Sequence, residues 1–418
     1  MKIRISPPTK LFMALLDFYL TPRELLFNKR YTKKGLEMLS VAILAYYKRS
    51  IVAPGEMVGM IAAQSIGEPT TQMSEVYSRM VRVIEIKNDG TKIHKTIQIG
   101  ELCDEFIEKY PQYTFPTGHE NSVETLLDKL DETYYVMSVD KKEKTSWSRI
   151  SHFSRHPPNG GLITIKTKSG RNTTTTLSHS HLTRRNHQVM PIKGSELKVG
   201  MRIPICKHID NDFVLNEVQI GDSVYELNEQ FGWFIGAYIA EGNCNGNTII
   251  ITNVAEHYIQ STMKIAELFG CNGQTHTRDG EYGPSTKTKF THKDLAKFLL
   301  KHSGENSFKK KVPDFMFMAP NTCKAAMLQG YMDGDGNIHC DETHHEIRGC
   351  SRSEELMLGI GQLFNYFDIF VHFTECVRDK KPLYNFSISA CYAEQYKTHI
   401  GSTLKMDKLE GICDYVKR

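Results

Sequence analysis

Two acidic residues, Glu241 and Asp335, each close a short apolar segment and each precede a glycine: Phe234-Ile-Gly-Ala-Tyr-Ile-Ala-Glu241-Gly242 and Leu328-Gln-Gly-Tyr-Met-Asp-Gly-Asp335-Gly336. The nonamers align residue for residue, with their acids 94 positions apart. Small residues on one face (Gly236 and Ala240; Gly330 and Gly334) predict two helices that pack closely and bring both carboxylates to one end, the trailing glycine serving as a C-terminal cap. Paired carboxylates there suit Mg2+, a hard cation that takes oxygen ligands and keeps waters for a phosphate to displace. Such ions activate water and stabilise leaving oxygens in phosphodiester hydrolysis. A glycine-rich helix pair that serves packing alone and an inactive DNA-binding relic are the competing readings.

The elements around each acid read alike. After Glu241 the pattern predicts a strand over 248–253, a helix over 255–269, a β region to 290 and a helix over 293–302. After Asp335 it predicts strands over 336–341 and 347–350, a helix over 353–367 and strands over 370–377 and 383–389. Two αββαββα halves within an α+β region spanning 222–400 fit that order. The run Lys309-Lys-Lys311 between them reads as a solvated linker. Residues 74–215 read as all-β. Asn88-Asp-Gly90 joins a hairpin of 81–87 and 93–99, and further strands fall at 134–139, 162–168, 173–177 and 190–192, with helices at 99–110 and 121–130. The first 73 residues read as helical over 11–20, from Pro22 behind an N-capping Thr21, over 33–48, and through a small-residue stretch that Pro69 ends.

At 418 residues the chain supports two to three domains, and its net charge of +4 with 40% hydrophobic and 24% charged residues is ordinary for a globular protein. That total hides an uneven distribution: residues 141–210 hold 14 Lys and Arg against 3 Asp and Glu. Such a stretch is either a solvated face or a surface turned toward phosphate. The ten cysteines show neither C-x-x-C pairs nor the spacing of a disulfide framework. No apolar run approaches bilayer length and the start lacks a secretory signal. These features predict a chain with no membrane contact in a reducing intracellular setting: nucleus, cytoplasm or a viral transcription compartment.

Three resemblances follow from the motifs. Gly55-Glu-Met-Val-Gly-Met-Ile-Ala-Ala-Gln-Ser-Ile-Gly-Glu-Pro-Thr-Thr-Gln72-Met73 resembles the segment of the multisubunit RNA polymerase largest subunit that runs into the trigger loop. That resemblance implies a nucleotide-sensing role for Gln72. The match breaks off after Met73, as though something were inserted there, and the Asp-rich magnesium loop of the family is missing, so this polypeptide is not expected to polymerise nucleotides. Gly170-Arg-Asn-Thr-Thr-Thr-Thr176-Leu-Ser-His179-Ser-His-Leu182, followed by Glu196-Leu-Lys-Val-Gly-Met-Arg202, resembles the splicing motifs of inteins. It implies a Hint fold in which Ser74 attacks the Met73 carbonyl, Thr176 holds the oxyanion and His179 supplies the proton. The two nonamers resemble LAGLIDADG (DOD-type) homing endonucleases, which implies Mg2+ bound by Glu241 and Asp335 and β-ribbons lying in the major groove of double-stranded DNA.

The same resemblance places Lys381, with Lys380 beside it, near the scissile phosphate, and makes Arg278, Lys287, Lys289 and Arg348 candidate DNA contacts. No His-Asn pair of the kind that ends inteins is present. The expected organisation is therefore a polymerase fragment (1–73), a Hint region lacking its C-terminal strands (74–215), the endonuclease (222–400) and a truncated return toward the Hint domain (401–418). Its expected partners are the intein-less polymerase gene, other RNA polymerase subunits after splicing, and a separate chain carrying the intein C-terminal part. A polymerase subunit with a degenerate, DNA-binding-only insert is the alternative.

Overall fold

The computed structural model describes residues 10–50, 80–117, 122–128, 130–139, 143–156, 161–185, 188–280, 283–342 and 344–417. The chain forms two units, Met1–Glu68 and Pro69–Arg418. In the first, α1 (Lys10–Tyr19) and α2 (Lys33–Ser50) flank a π-helical turn at Arg23–Asn28. Thr21 caps that turn as expected, its hydroxyl accepting from the Glu24 amide at 3.4 Å. The small-residue stretch, Gln72 and Ser74 lie outside the described residues.

The second unit begins with β-structure. Strands β1 (Met80–Ile86) and β2 (Lys92–Gln98) form the expected hairpin, with Gly90 at φ +81° in its turn. The three-stranded sheet β3 (Thr114–Pro116), β4 (Val123–Leu126) and β7 (His152–Arg155) lies beside the four-stranded order β2-β1-β5-β6, where β5 is Thr133–Val139 and β6 is Thr145–Arg149. Helix α3 (Ile99–Lys109) packs Leu102 and Phe106 against Val83 and Tyr134 in a small separate core. The helix expected over 121–130 is instead β4. Thr125 and Leu127 are buried at a period of two, and β4 pairs on both sides, with β3 and with β7. Two hairpins follow: β8 (Leu162–Lys166) with β9 (Asn172–Thr176), and β10 (Ser180–Arg185) with β11 (Gln188–Lys193). A third, β12 (Glu217–Ile220) with β13 (Ser223–Glu226), leads into the large core.

The remainder contains two runs with the same element order. The first is α4 (Glu229–Glu241), β14 (Gly242–Asn245), β15 (Thr248–Thr252), α5 (Glu256–Leu268), β16 (Gln274–Gly280), β17 (Gly283–Thr291) and α6 (Lys293–Ser303). The second is α7 (Asn321–Gly334), β18 (Asn337–Cys340), β19 (His345–Ser351), α8 (Glu354–Asn365), β20 (Val371–Arg378), β21 (Lys381–Ile388) and α9 (Ala393–His399). Their sheets share one strand order, β14-β15-β17-β16 and β18-β19-β21-β20. A final helix, α10 (Met406–Lys417), does not leave this region as the 401–418 boundary anticipated. Leu409, Ile412 and Cys413 are buried in its core.

The β-rich part is fastened to the second sheet and to the segment between the runs. Arg171 lies over the rings of Phe370 and Phe373 at 4.4 and 4.8 Å and donates to the Val371 carbonyl. Beside it the Ser169 carbonyl accepts from the Phe373 amide at 2.9 Å, and Gly170 lies so close to Phe373 that a Cβ would strike its carbonyl oxygen. On the other side His94 stacks on Phe317 and lies 3.5 Å from the Asp314 carboxylate. No described helix is long and apolar enough to cross a membrane, and all ten cysteines are free.

Candidate active site

Helix α4 starts at Asn228, whose side chain accepts from the Phe231 amide, and it is buried on every side from Phe231 to Ile239. What covers it is α7, at a distance that only glycine permits. A Cβ on Gly236 would lie 2.1 Å from the Met327 carbonyl oxygen, and one on Gly330 would lie 2.4 Å from that of Trp233. These contacts are two-fold copies, since Gly236 and Gly330 each stand five residues before an acid, while Met327 and Trp233 each stand eight before the other acid. A Cβ on Gly334 would lie 2.7 Å from the Ala240 Cβ and 3.2 Å from the Glu241 Cγ. The small-residue faces thus bring Glu241 and Asp335 to one end of the helix pair.

Glycine after each acid serves a different purpose from the left-handed cap expected. Gly242 is extended, at φ −99°. Its chain folds back so tightly that a Cβ would lie 2.6 Å from the Tyr238 carbonyl oxygen, and one on Gly336 would lie 2.5 Å from that of Met332.

Both carboxyls are strained electrostatically. Burial and then the Glu241 charge push Asp335 up to about 7, while Lys310 and Lys405 pull it back. Burial raises Glu241, and Lys405 opposes that. Two carboxylates that resist ionising beside each other call for a cation, and oxygen donors of this kind fit a hard divalent ion. Among the described residues no group of three or more His, Cys, Asp or Glu side chains could hold a metal. Water and phosphate oxygens would therefore fill the rest of its shell.

Neither lysine was anticipated. Lys310, in the run expected to be solvated, is 5% exposed and donates to the carbonyls of Tyr238 (2.7 Å) and Gly242 (3.0 Å). Lys405 donates to the carbonyls of Met332 (3.1 Å), Asp333 (3.3 Å) and Gly336 (2.5 Å). Each ammonium neutralises the carbonyl end of one helix through the residues three before and one after its acid. The sequence signal was available: Lys310 follows Glu241 by 69 residues and Lys405 follows Asp335 by 70. Lys381, by contrast, opens β21 with its ammonium 5.3 Å from the Phe308 ring, and Lys380 occupies the preceding turn at φ +59°. The lysines that bear on Asp335 are Lys310 and Lys405.

Lys287 and Lys289 alternate with buried Thr286, Thr288 and Phe290 on β17, so they stand on its outer face. Cross-strand pairing puts His276 opposite Lys287 and Gln274 opposite Lys289, with Arg278 next along the same face. Arg348 takes the matching face of the second sheet, between Asn337 and Ser387, and lies 3.5 Å from Glu346.

Elsewhere, Thr176 is buried at the end of β9, with its hydroxyl 3.3 Å from that of Ser178. The His179 amide donates to the Thr176 carbonyl, and its ring packs edge-on against His181 at 4.7 Å. Burial, then the neighbouring His181, pull His179 down to about 4. It therefore stays neutral well below pH 7. His181 is held by the Thr175 hydroxyl at 3.0 Å.

Comparison with known proteins divides the chain similarly. The family model for RNA polymerase Rpb1, domain 5, matches residues 24–77, and that for a LAGLIDADG-like domain matches residues 322–401. The DNA-directed RNA polymerase subunit Rpo1C of Methanocaldococcus jannaschii is 34% identical over 389 residues, covering 87% of this chain and 43% of that protein. Transcription initiation factor IIB of the same organism is 26% identical over 272 residues, 64% of this chain and 36% of that protein. The chain thus spans less than half the length of these relatives. Similar solved structures include a transcription factor IIB Mvu mini-intein (26% identity, TM-score 0.28, 32% of this chain and 69% of that one). Another is the homing endonuclease I-DmoI with DNA and Mn (13% identity, TM-score 0.31, 42% and 98%). The chain therefore matches the RNA polymerase Rpb1 domain 5 model over residues 24–77 and the LAGLIDADG-like domain model over residues 322–401.

Proposed function

We propose that the chain is an RNA polymerase largest-subunit segment interrupted after Met73 by a protein-splicing element, and that this element carries a site-specific, divalent-metal-dependent endonuclease for double-stranded DNA. The observation that carries the nuclease reading is the two-fold arrangement of the acid-bearing helix ends, the one at Glu241 held by Lys310 and the one at Asp335 held by Lys405 through backbone carbonyls. The reading of an insertion is supported by two relatives with different duties. A polymerase subunit and an initiation factor both match far more of this chain than the 24–77 polymerase segment, so what they share is carried within both.

In the nuclease, Glu241 and Asp335 hold the cation, which when bound, preferably as Mg2+, supplies the polarisation of water and phosphate. Lys310 bears on Asp335 and Lys405 on both acids, so their positive charge lies where the phosphate accumulates negative charge. The outer faces of the two sheets, with Arg278, Lys287, Lys289 and Arg348, lie along the duplex, and Lys380 and Lys381 meet its backbone from the β20–β21 turn.

In the splicing element, the Ser74 hydroxyl oxygen attacks the Met73 carbonyl carbon, and the Met73–Ser74 amide bond breaks to leave an ester. Neutral His179 takes the hydroxyl proton and returns it to the departing nitrogen, with Thr176 donating to the oxyanion. Gln72 belongs to the polymerase segment, where it senses nucleotide once spliced alongside the other subunits.

The purified chain with Mg2+ and a duplex carrying the uninterrupted polymerase coding sequence across the Met73 codon tests the nuclease. Site-specific double-strand cleavage is expected, and Glu241→Gln should abolish it. An intact duplex with both proteins sinks the reading. Hydroxylamine should release a fragment ending at Met73, and equal release from Ser74→Ala would refute the acyl shift.

A further inference from the structure

Asp333 has no counterpart across the two-fold. It stands two residues before Asp335, and the matching residue before Glu241 is Ile239, so a buried carboxylate in one helix corresponds to a buried isoleucine in the other. The isoleucine shows that the helix pair packs without an acid there, and a buried carboxylate is costly unless its oxygens are bonded. Both oxygens of Asp333 are. One accepts from the Ser402 hydroxyl at 2.5 Å and the other from the Thr403 amide at 3.0 Å. Ser402, itself buried, accepts from the Lys405 amide at 3.0 Å. The loop enters through Gly401 at φ +66°, and Lys405 then reaches the carbonyl end of α7. The first half holds its lysine differently, by the Ser353 hydroxyl on the Lys310 carbonyl (2.6 Å) and by the Asn306 carbonyl on the Lys310 amide (2.9 Å).

We infer that Asp333 is a positioning residue, which through its clasp on Ser402 and Thr403 sets Lys405 in the second half of the nuclease site. The inference rests on the nuclease reading. The two-fold axis of a duplex relates its strands, so a site with the same symmetry presents one half to each strand, and loosening Lys405, whose hydrogen bonds all go to the Asp335 end, should slow one cut more than the other.

The experiment uses the full chain, Mg2+ and a supercoiled plasmid carrying the target. The parent should give linear product, whereas Asp333→Asn should accumulate nicked circles, one strand slowed about tenfold or more, as supporting-residue changes at metal sites do. Lys310→Met should nick the opposite strand. Labelling with an amine-reactive acylating reagent, read by mass spectrometry, should rise at Lys405 and stay unchanged at Lys310. Equal slowing of both strands, or unchanged Lys405 labelling, would overturn the inference. Should Asp333→Asn not fold, Ser402→Ala keeps the carboxylate and is read by the same labelling. An uncut plasmid with the parent would defeat the nuclease reading, while the labelling would still decide whether the clasp holds Lys405.

Discussion

The Lys310 ammonium sits 3.6 Å from the centre of the Tyr238 ring and 2.7 Å from that residue's carbonyl oxygen, so a single cation is packed against an aromatic face and a helix end together. Burial pulls it down to about 7. In the unfolded chain it titrates near 10.5, so between those values the unfolded state holds the extra proton and stability must rise with pH. Denaturation midpoints at pH 7 and pH 9 should show this increase in the parent. Burial pulls Lys324 down to about 7 as well, so Lys310→Met should lose only part of the increase, while cleaving DNA at least about tenfold more slowly.

Cation binding should follow Asp335. Its carboxyl is pushed up to about 7, above the ordinary carboxylate range, so protons compete with metal at pH 6 and much less at pH 8. Titration with Mg2+ should raise the unfolding temperature more at pH 8 than at pH 6, and Asp335→Asn should remove the difference. A Mg2+ response that is equal at both pH values would contradict Asp335 as a ligand. Glu241→Gln should reduce cleavage by about a hundredfold or more, since even supporting residues at metal sites are worth 10- to 100-fold.

The helix pair tolerates no methyl at its crossing. Gly236→Ala and Gly330→Ala would each force a Cβ into a backbone carbonyl, which overpacks the core at a cost of roughly 1–3 kcal/mol. Each variant should unfold several degrees below the parent, and the double variant should separate the acids enough to lose metal-dependent cleavage. Gly246→Ala, at an open turn with φ +59°, should lower stability through backbone strain alone and leave cleavage intact.

DNA affinity should depend on Lys287 and Lys289 through salt. Replacing each by alanine removes one phosphate neutralisation, so the slope of log affinity against log salt should fall by about 1 per lysine. Fluorescence anisotropy at several salt concentrations measures this directly. An unchanged slope would mean that the outer face of β17 does not meet the backbone.

Much of this was legible in residue patterns. The twin nonamers located the paired acids, and the hairpin at Asn88-Asp-Gly90 and the helices over 256–268 and 354–365 fell where periodicity put them. What stayed hidden depends on distant partners. Residues 123–126 carry helix-forming Glu and Leu, yet strands from 114–116 and 152–155 claim both of their edges. Three consecutive lysines read as solvated in any window. The middle one is buried because carbonyls 68 and 72 residues upstream receive it. Likewise the type of His179 does not reveal that the enclosure of its ring pulls it down to about 4, so that it stays neutral well below pH 7.

The bond from the Phe373 amide to the Ser169 carbonyl has a further consequence. Strand β20 is the last in its sheet, and an outermost strand with free amides invites pairing with other chains. The turn between β8 and β9 occupies that border, with Arg171 pinning it in place. Cutting the nuclease out of its β-rich neighbour would uncover the border. The isolated piece would be prone to self-association, so the β-rich part shields the second sheet from aggregation.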